Sequence, residues 1–221
     1  MNPNYSVATH SSSSTLATNK LIRNTYTLLS MTLLFSAGTA AVGVMMNLSQ
    51  GMALGATIAA IAMLWFVLPR TANSAMGIPV IFGITGLLGL GLGPVLNYYL
   101  AVNPSIVMTA LGGTGAIFLG LSAYALTTRK DFSFMAGFLM VGLIVVIGAS
   151  LLNIFLSIPA LSLAVSAAVI MIMSGFILFQ TSSMVNGGET NYIMATASLF
   201  LSIVNMFQAL LHILGAFNNN D

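Results

Sequence analysis

The chain has 221 residues, of which 58% are hydrophobic and only 4% charged, against about 25% charged in an average soluble domain. Five Lys or Arg and three Asp or Glu cannot keep a surface of this size dissolved, so the composition excludes a water-soluble globule and defines an integral membrane protein. A membrane helix consumes about 20 apolar residues, which limits the chain to one bundle of roughly six to eight spans with no second folded domain.

A net charge of +2 is too small and too scattered for a nucleic-acid surface. Cysteine is absent, which excludes disulfide frameworks, thiolate metal sites, iron-sulfur clusters and cysteine nucleophiles. The 15 Met read as adaptable apolar packing. Neither a metal nor a cofactor is expected.

In chain order, residues 1–20 are polar and carry the run Ser11, Ser12, Ser13, Ser14, which predicts a disordered cytoplasmic tail. Lys20 and Arg23 before the apolar Leu28 to Phe35 region, then Ser36-Ala37-Gly38, resemble a signal peptide. The polar lead is too long for one, and the apolar stretch continues past the small residues. Seven stretches follow, each long enough to cross a bilayer: 26–47, 51–69, 77–99, 105–127, 132–155, 159–181 and 191–214. Turn formers punctuate them at Asn47-Leu48-Ser49-Gln50-Gly51, Leu68-Pro69-Arg70, Asn103-Pro104-Ser105, Arg129-Lys130-Asp131, Ser157-Ile158-Pro159 and Asn186-Gly187-Gly188-Glu189. The stretches are continuously apolar, without the alternation of a barrel strand. The expected architecture is an all-α membrane protein with seven transmembrane helices over residues 21–215 and a short periplasmic tail, 216–221.

Orientation follows from the positive residues, which stay on the cytoplasmic side. Lys20 and Arg23 precede the first span, Arg70 follows the second, and Arg129 and Lys130 follow the fourth, so all five share one face. The N-terminus is therefore expected in the cytoplasm and Asp221 in the periplasm. Glu189 returns to the cytoplasmic face, where it is a solvated residue before the seventh helix, an N-terminal cap partner of that helix, or a pair for Arg70.

Helix packing in lipid relies on small residues that let backbones approach. Gly51, Gly55 and Ala59, Gly89 and Gly93, and Ala116 and Gly120 have the required spacing and are expected to be seams within the bundle. Pro94 predicts a kink late in the third span.

The spans offer no catalytic set. No His-Glu-x-x-His occurs, Ser174-Gly175 lacks the preceding Gly of an intramembrane serine protease, and no Asp lies within a span. No catalytic residue is assigned, and the chain reads as a non-enzyme. The last span differs from the rest: Ser198, Ser202, Asn205, Gln208 and His212 recur at helical spacing over about one third of its circumference. Unsatisfied polar groups in hydrocarbon cost several kcal/mol, so this stripe is expected to face the bundle interior, as hydrogen-bonding glue or as the lining of a watery path.

The segment Gly187-Gly188-Glu189-Thr190-Asn191-Tyr192-Ile193, followed by Ala195-Thr196 and Ser198-Leu199, resembles the Bax inhibitor-1 family, in particular its bacterial YccA-type branch. Arg23-Asn24-Thr25-Tyr26, Gly93-Pro94 with Leu96-Asn97, Leu126-Thr127-Thr128-Arg129-Lys130-Asp131 and Asn153-Ile154-Phe155-Leu156 extend the likeness over nearly the whole chain after the tail. The resemblance implies six helices surrounding a central seventh. It also implies one of two functions. The YccA-type branch is associated with the ATP-dependent membrane protease FtsH, which it modulates, and with HflK and HflC. Other members resemble pH-sensitive calcium leak channels that sense through paired aspartates on helices six and seven.

This chain carries Gln180 and Ser202 at the matching positions. Close carboxylates titrate near neutrality because both cannot ionise cheaply, whereas an amide and a hydroxyl cannot titrate. Neutral oxygens are also poor ligands for calcium. The expectation is therefore an inner-membrane protein that binds and modulates FtsH, its tail a handle for a slow or competing substrate. A pH-insensitive or vestigial calcium or proton leak is the alternative.

Overall fold

In the computed structural model the backbone is described for residues 4–218, with side-chain surroundings from residue 16. It contains helices α1 (Asn4–Met45), α2 (Gln50–Ala62), α3 (Leu68–Thr71), α4 (Gly77–Gly91), α5 (Gly93–Val102), α6 (Pro104–Thr128), α7 (Met135–Leu156), α8 (Pro159–Val185) and α9 (Tyr192–Asn218), with a π-turn at Met63–Val67. They form seven spans long and apolar enough to cross a membrane, since α2, the π-turn and α3 run on as one span and α4 with α5 as another.

The first helix starts far upstream of residue 26. The segment expected as a disordered tail is drawn as helix from Asn4, and its first three residues lie outside the described part. Once the apolar part of α1 is nucleated, each added residue gains a backbone bond at small cost, which is how a polar lead extends a helix. Helix α9 likewise runs through Asn218, beyond the expected boundary at 215. The last three residues lie outside the description.

Proline sets the irregularities. Pro69 has no N–H and its ring crowds the carbonyl one turn back. The helix before it widens, Leu68 N–H reaching Met63 O five residues back. Arg70 Nη1 and Thr71 Oγ1 donate to the Phe66 and Val67 carbonyls there. The kink expected at Pro94 is an interruption at Leu92, with Pro94 in the first turn of α5.

Helix α9 is the most enclosed span, 56% of its most apolar window being buried, against 11% for α7. Its packing neighbours are α1, α4, α6 and α8, while α2 packs on α4 and α7 on α8. The centre expected for the seventh helix is observed, but the ring around it is built mainly by four spans, with the second and fifth outside. Large apolar side chains explain the placement: Leu199, Phe200, Met206 and Leu211 of α9 are at most 1% exposed. At about 2 kcal/mol per buried side chain in water they would dominate a soluble fold. In lipid, close packing of the same atoms takes over that role.

The small-residue seams divide. Gly89 and Gly93 press against α1: a Cβ on Gly93 would lie 2.9 Å from the Gly43 carbonyl carbon, and one on Gly89 would collide with Ser36 and Thr39. This seam is as expected. Gly51, Gly55 and Gly120 meet nothing within 4 Å, and Ala59 and Ala116 are exposed, so those two seams are not formed. Spacing alone places small residues on one face without saying what that face meets.

Candidate functional site

Each end of the bundle is tied by amide and hydroxyl side chains. At the end carrying Arg70, Arg129 and Lys130, Asn191 Oδ1 accepts from Ile193 N (2.9 Å) and Met194 N (3.1 Å), capping α9. Its Nδ2 donates to Ala72 O (3.0 Å) and Asn73 Oδ1 (2.7 Å) in the loop before α4. Ser182 Oγ donates to Lys130 O (2.8 Å) and accepts from Phe132 N (3.0 Å), fastening the loop after α6 to the end of α8. The opposite end has Asn97–Asn47 (2.8 Å), Asn103–Asn218 (2.9 Å) and Asn153–Ser162 (2.7 Å) bonds.

Asn191 and Ser182 were not singled out from the sequence. The signal for Asn191 was present, an Asn directly before an apolar helical run. Nothing local marks Ser182 as a tie between loops: besides Asn186 Nδ2 (3.1 Å), its partners lie 50 and 52 residues away.

Glu189 and Arg70 do not pair. Glu189 Oε1 accepts from Thr190 N (2.8 Å) and Asn191 N (2.7 Å), while the Arg70 guanidinium turns to its own helix at Phe66 O. The carboxylate organises the turn into α9, and two short local bonds outcompete an exposed ion pair worth about 0–1 kcal/mol. Asp131 does similar work: its Oδ1 accepts from the Ser133 hydroxyl and from Ser133 N (2.8 Å). The hydroxyl, then the backbone bond, hold this exposed carboxyl below the usual range.

Gln180 and Ser202 do not hydrogen-bond to each other. Ser202 is 3% exposed and its hydroxyl donates to Ser198 O one turn back (3.0 Å). Gln180 is half-buried, with Oε1 enclosed and without a partner among the described residues.

The polar stripe of the seventh span is not uniformly internal, which corrects the expectation drawn from its spacing. Ser202 is buried and Ser198 and His212 are half-buried, but Asn205 and Gln208 are exposed. The buried faces of α9 are its apolar ones. The reason is local: Ser202 and Asn205 satisfy themselves on the carbonyl four residues back, Asn205 Nδ2 on Leu201 O at 2.8 Å, and so do not need a neighbouring helix.

His212 does bridge helices, its Nδ1 lying 2.9 Å from Ser166 Oγ of α8. Both line a cavity of about 630 Å³ between α7, α8 and α9, together with Asn153 and Ser162. A second cavity, about 530 Å³, lies between α1, α5, α6 and α9 and is walled by apolar groups such as Leu96, Val107, Phe118 and Phe207.

A bundle of seven apolar spans, tied at both ends by neutral side chains and with its described acids, Asp131 and Glu189, in loops, defines a multi-pass helical membrane protein with no cluster of three metal-ligating side chains among the described residues. The sequence profile of the family described as "Inhibitor of apoptosis-promoting Bax1" matches residues 18–219. The chain belongs to this Bax inhibitor family.

It is 50% identical to the "Modulator of FtsH protease YccA" of Escherichia coli (strain K12), over 94% of this chain and 95% of that protein. An "Uncharacterized membrane protein" of Vibrio cholerae is 50% identical over the full length of both. A Pseudomonas aeruginosa protein, "Uncharacterized protein PA2604", is 44% identical over 91% of each chain.

Proposed function

We propose that this protein is a non-catalytic inner-membrane modulator of an FtsH-type ATP-dependent protease, acting together with HflK and HflC, and that its N-terminus and its Lys and Arg residues face the cytoplasm. The observation that carries the reading is the end-to-end 50% identity with a protein named as a modulator of FtsH protease. The name "Inner membrane protein YccA", carried by an equally similar Escherichia coli sequence, supports the location. The distribution of the five positive residues supports the orientation.

In this reading the protein acts by occupying the enzyme. An ATP-driven protease must grip a segment before it can pull, and the polar residues 1–20 offer one at the end that carries the positive charge. A bundle tied at both ends then resists extraction, so the protein is turned over slowly and competes with other membrane substrates. Pull-down from solubilised membranes, with partners identified by mass spectrometry, is expected to recover the protease and its HflK and HflC partners. Deleting residues 1–19 is expected to lengthen the lifetime of the protein and relieve the competition. Absence of the protease from the pull-down would sink the proposal, whereas unchanged turnover after the deletion would sink the handle alone.

A further inference from the structure

We infer that a buried water site lies between α1, α6 and α8, built from Thr25, Ser122 and Gln180. A hydroxyl in a membrane helix ordinarily closes on a carbonyl of its own preceding turn. Here Thr32, Thr85, Thr114, Ser166, Thr196 and Ser202 all do so. Thr25 and Ser122, at 0% and 3% exposure, do not. Thr25 Oγ1, Ser122 Oγ and Gln180 Oε1 are enclosed polar atoms without a partner among the described residues.

Leaving a buried polar group unpaired is costly, and a hydroxyl on a helix can in general reach a carbonyl of its own preceding turn by a rotamer change. That Thr25 and Ser122 turn away from it points to a different partner in the space between helices.

Residues flanking Thr25, Ser122 and Gln180 are in contact, which brings the three helix segments together. Tyr26, next to Thr25, has its hydroxyl 3.4 Å from Thr181 Oγ1, the neighbour of Gln180. The Tyr26 ring packs at 5.9 Å on Phe118, one turn before Ser122. Thr196 Oγ1 of α9, whose proton goes to Tyr192 O (2.7 Å), also lies 3.3 Å from Thr25 O and brings α9 to that side.

The chemistry of the set selects the ligand. Two hydroxyls both donate and accept and the amide oxygen accepts, which matches a water making about three hydrogen bonds. A cation would sit there without counter-charge, because the acids among the described residues, Asp131 and Glu189, both lie outside the spans.

The full-length protein in lipid nanodiscs, labelled at threonine methyls, tests this by water-to-methyl nuclear Overhauser transfer. Thr25, Thr32 and Thr85 are all 0% exposed, so contact with bulk water is equally blocked. The expected result is transfer at Thr25, none at Thr32 and Thr85, and loss of the Thr25 signal in a Ser122→Ala, Gln180→Met variant whose other threonine shifts are unchanged. Silence at Thr25 overturns the proposal, as does a signal that persists in the variant or that vanishes when sodium and potassium are replaced by an organic cation. If the variant does not fold, the comparison of Thr25 with Thr32 and Thr85 in the native protein still decides.

Discussion

Asn191 caps α9 through its carbonyl oxygen and holds the loop before α4 through its amide nitrogen, so its two halves can be tested separately. Asn191→Ala is expected to destabilise the protein by about 1–2 kcal/mol, read as a fall of roughly 2–4 °C per kcal/mol in thermal unfolding in detergent. Asn191→Ser retains a capping oxygen and should recover about half of that loss. Equal losses in the two variants would show that the cap contributes nothing.

Asp131 makes a pH prediction whose sign is fixed by its lowered pKa. Its contribution to stability is present above the carboxyl's unfolded value, about 3.9, and disappears as pH falls through the lower folded value. The carboxyl titration, followed by NMR, should move upward in Ser133→Ala, because the hydroxyl is the larger cause of the shift. An unmoved titration would refute that cause.

Helix by helix, the apolar periodicity announces where the chain crosses the membrane but not which faces meet. Gly89 and Gly93 share their four-residue spacing with Gly51 and Gly55, yet only the first pair is pressed against another backbone. Gly93→Val should therefore cost about 1–3 kcal/mol by overpacking against Gly43, with a lowered unfolding temperature. Gly120→Val, with nothing within 4 Å of its added Cβ, should be neutral or slightly stabilising through helix propensity. A comparable loss in both variants would mean that the α6 face is covered in the membrane.

The polar residues of the last span teach the same lesson from the other side. Their spacing was plain in the sequence. That Asn205 spends its amide on Leu201 and leaves the helix surface open is a matter of rotamers and neighbours, which spacing does not encode.

For the molecule as a whole, the described spans hold no Asp or Glu, so carboxyls can be introduced there and their effect read alone. Gln180→Asp together with Ser202→Asp would place two carboxyls in a low-dielectric setting where burial and mutual repulsion suppress ionisation and so raise the folded pKa. The sign is opposite to that of Asp131: a raised folded value gives stability that is present at low pH and lost as pH rises through it. Unfolding temperatures of the double variant should therefore fall on going from pH 5 toward neutrality, while those of the native protein stay flat over that window. Calcium flux into liposomes should become pH-dependent in the variant if α9 borders a latent path. A variant as flat as the native protein would show that the two positions are too far apart, or too wet, to couple.

Composition and apolar run lengths were enough to establish seven membrane helices, their approximate limits and a positively charged end, because each depends on the free energy of transferring one segment into lipid and is additive along the chain. Motifs at Gly187 to Tyr192 carried the family. The partners of Ser182, the separate bonds of Glu189 and Arg70, the outward turn of Asn205 and Gln208, and the unpaired hydroxyls of Thr25 and Ser122 were decided only in three dimensions. These depend on which side chains distant in sequence arrive within 3 Å or so of one another, and in a bilayer, where hydrophobicity does not drive helices together, that choice is made by close packing and hydrogen-bond geometry between whole helices.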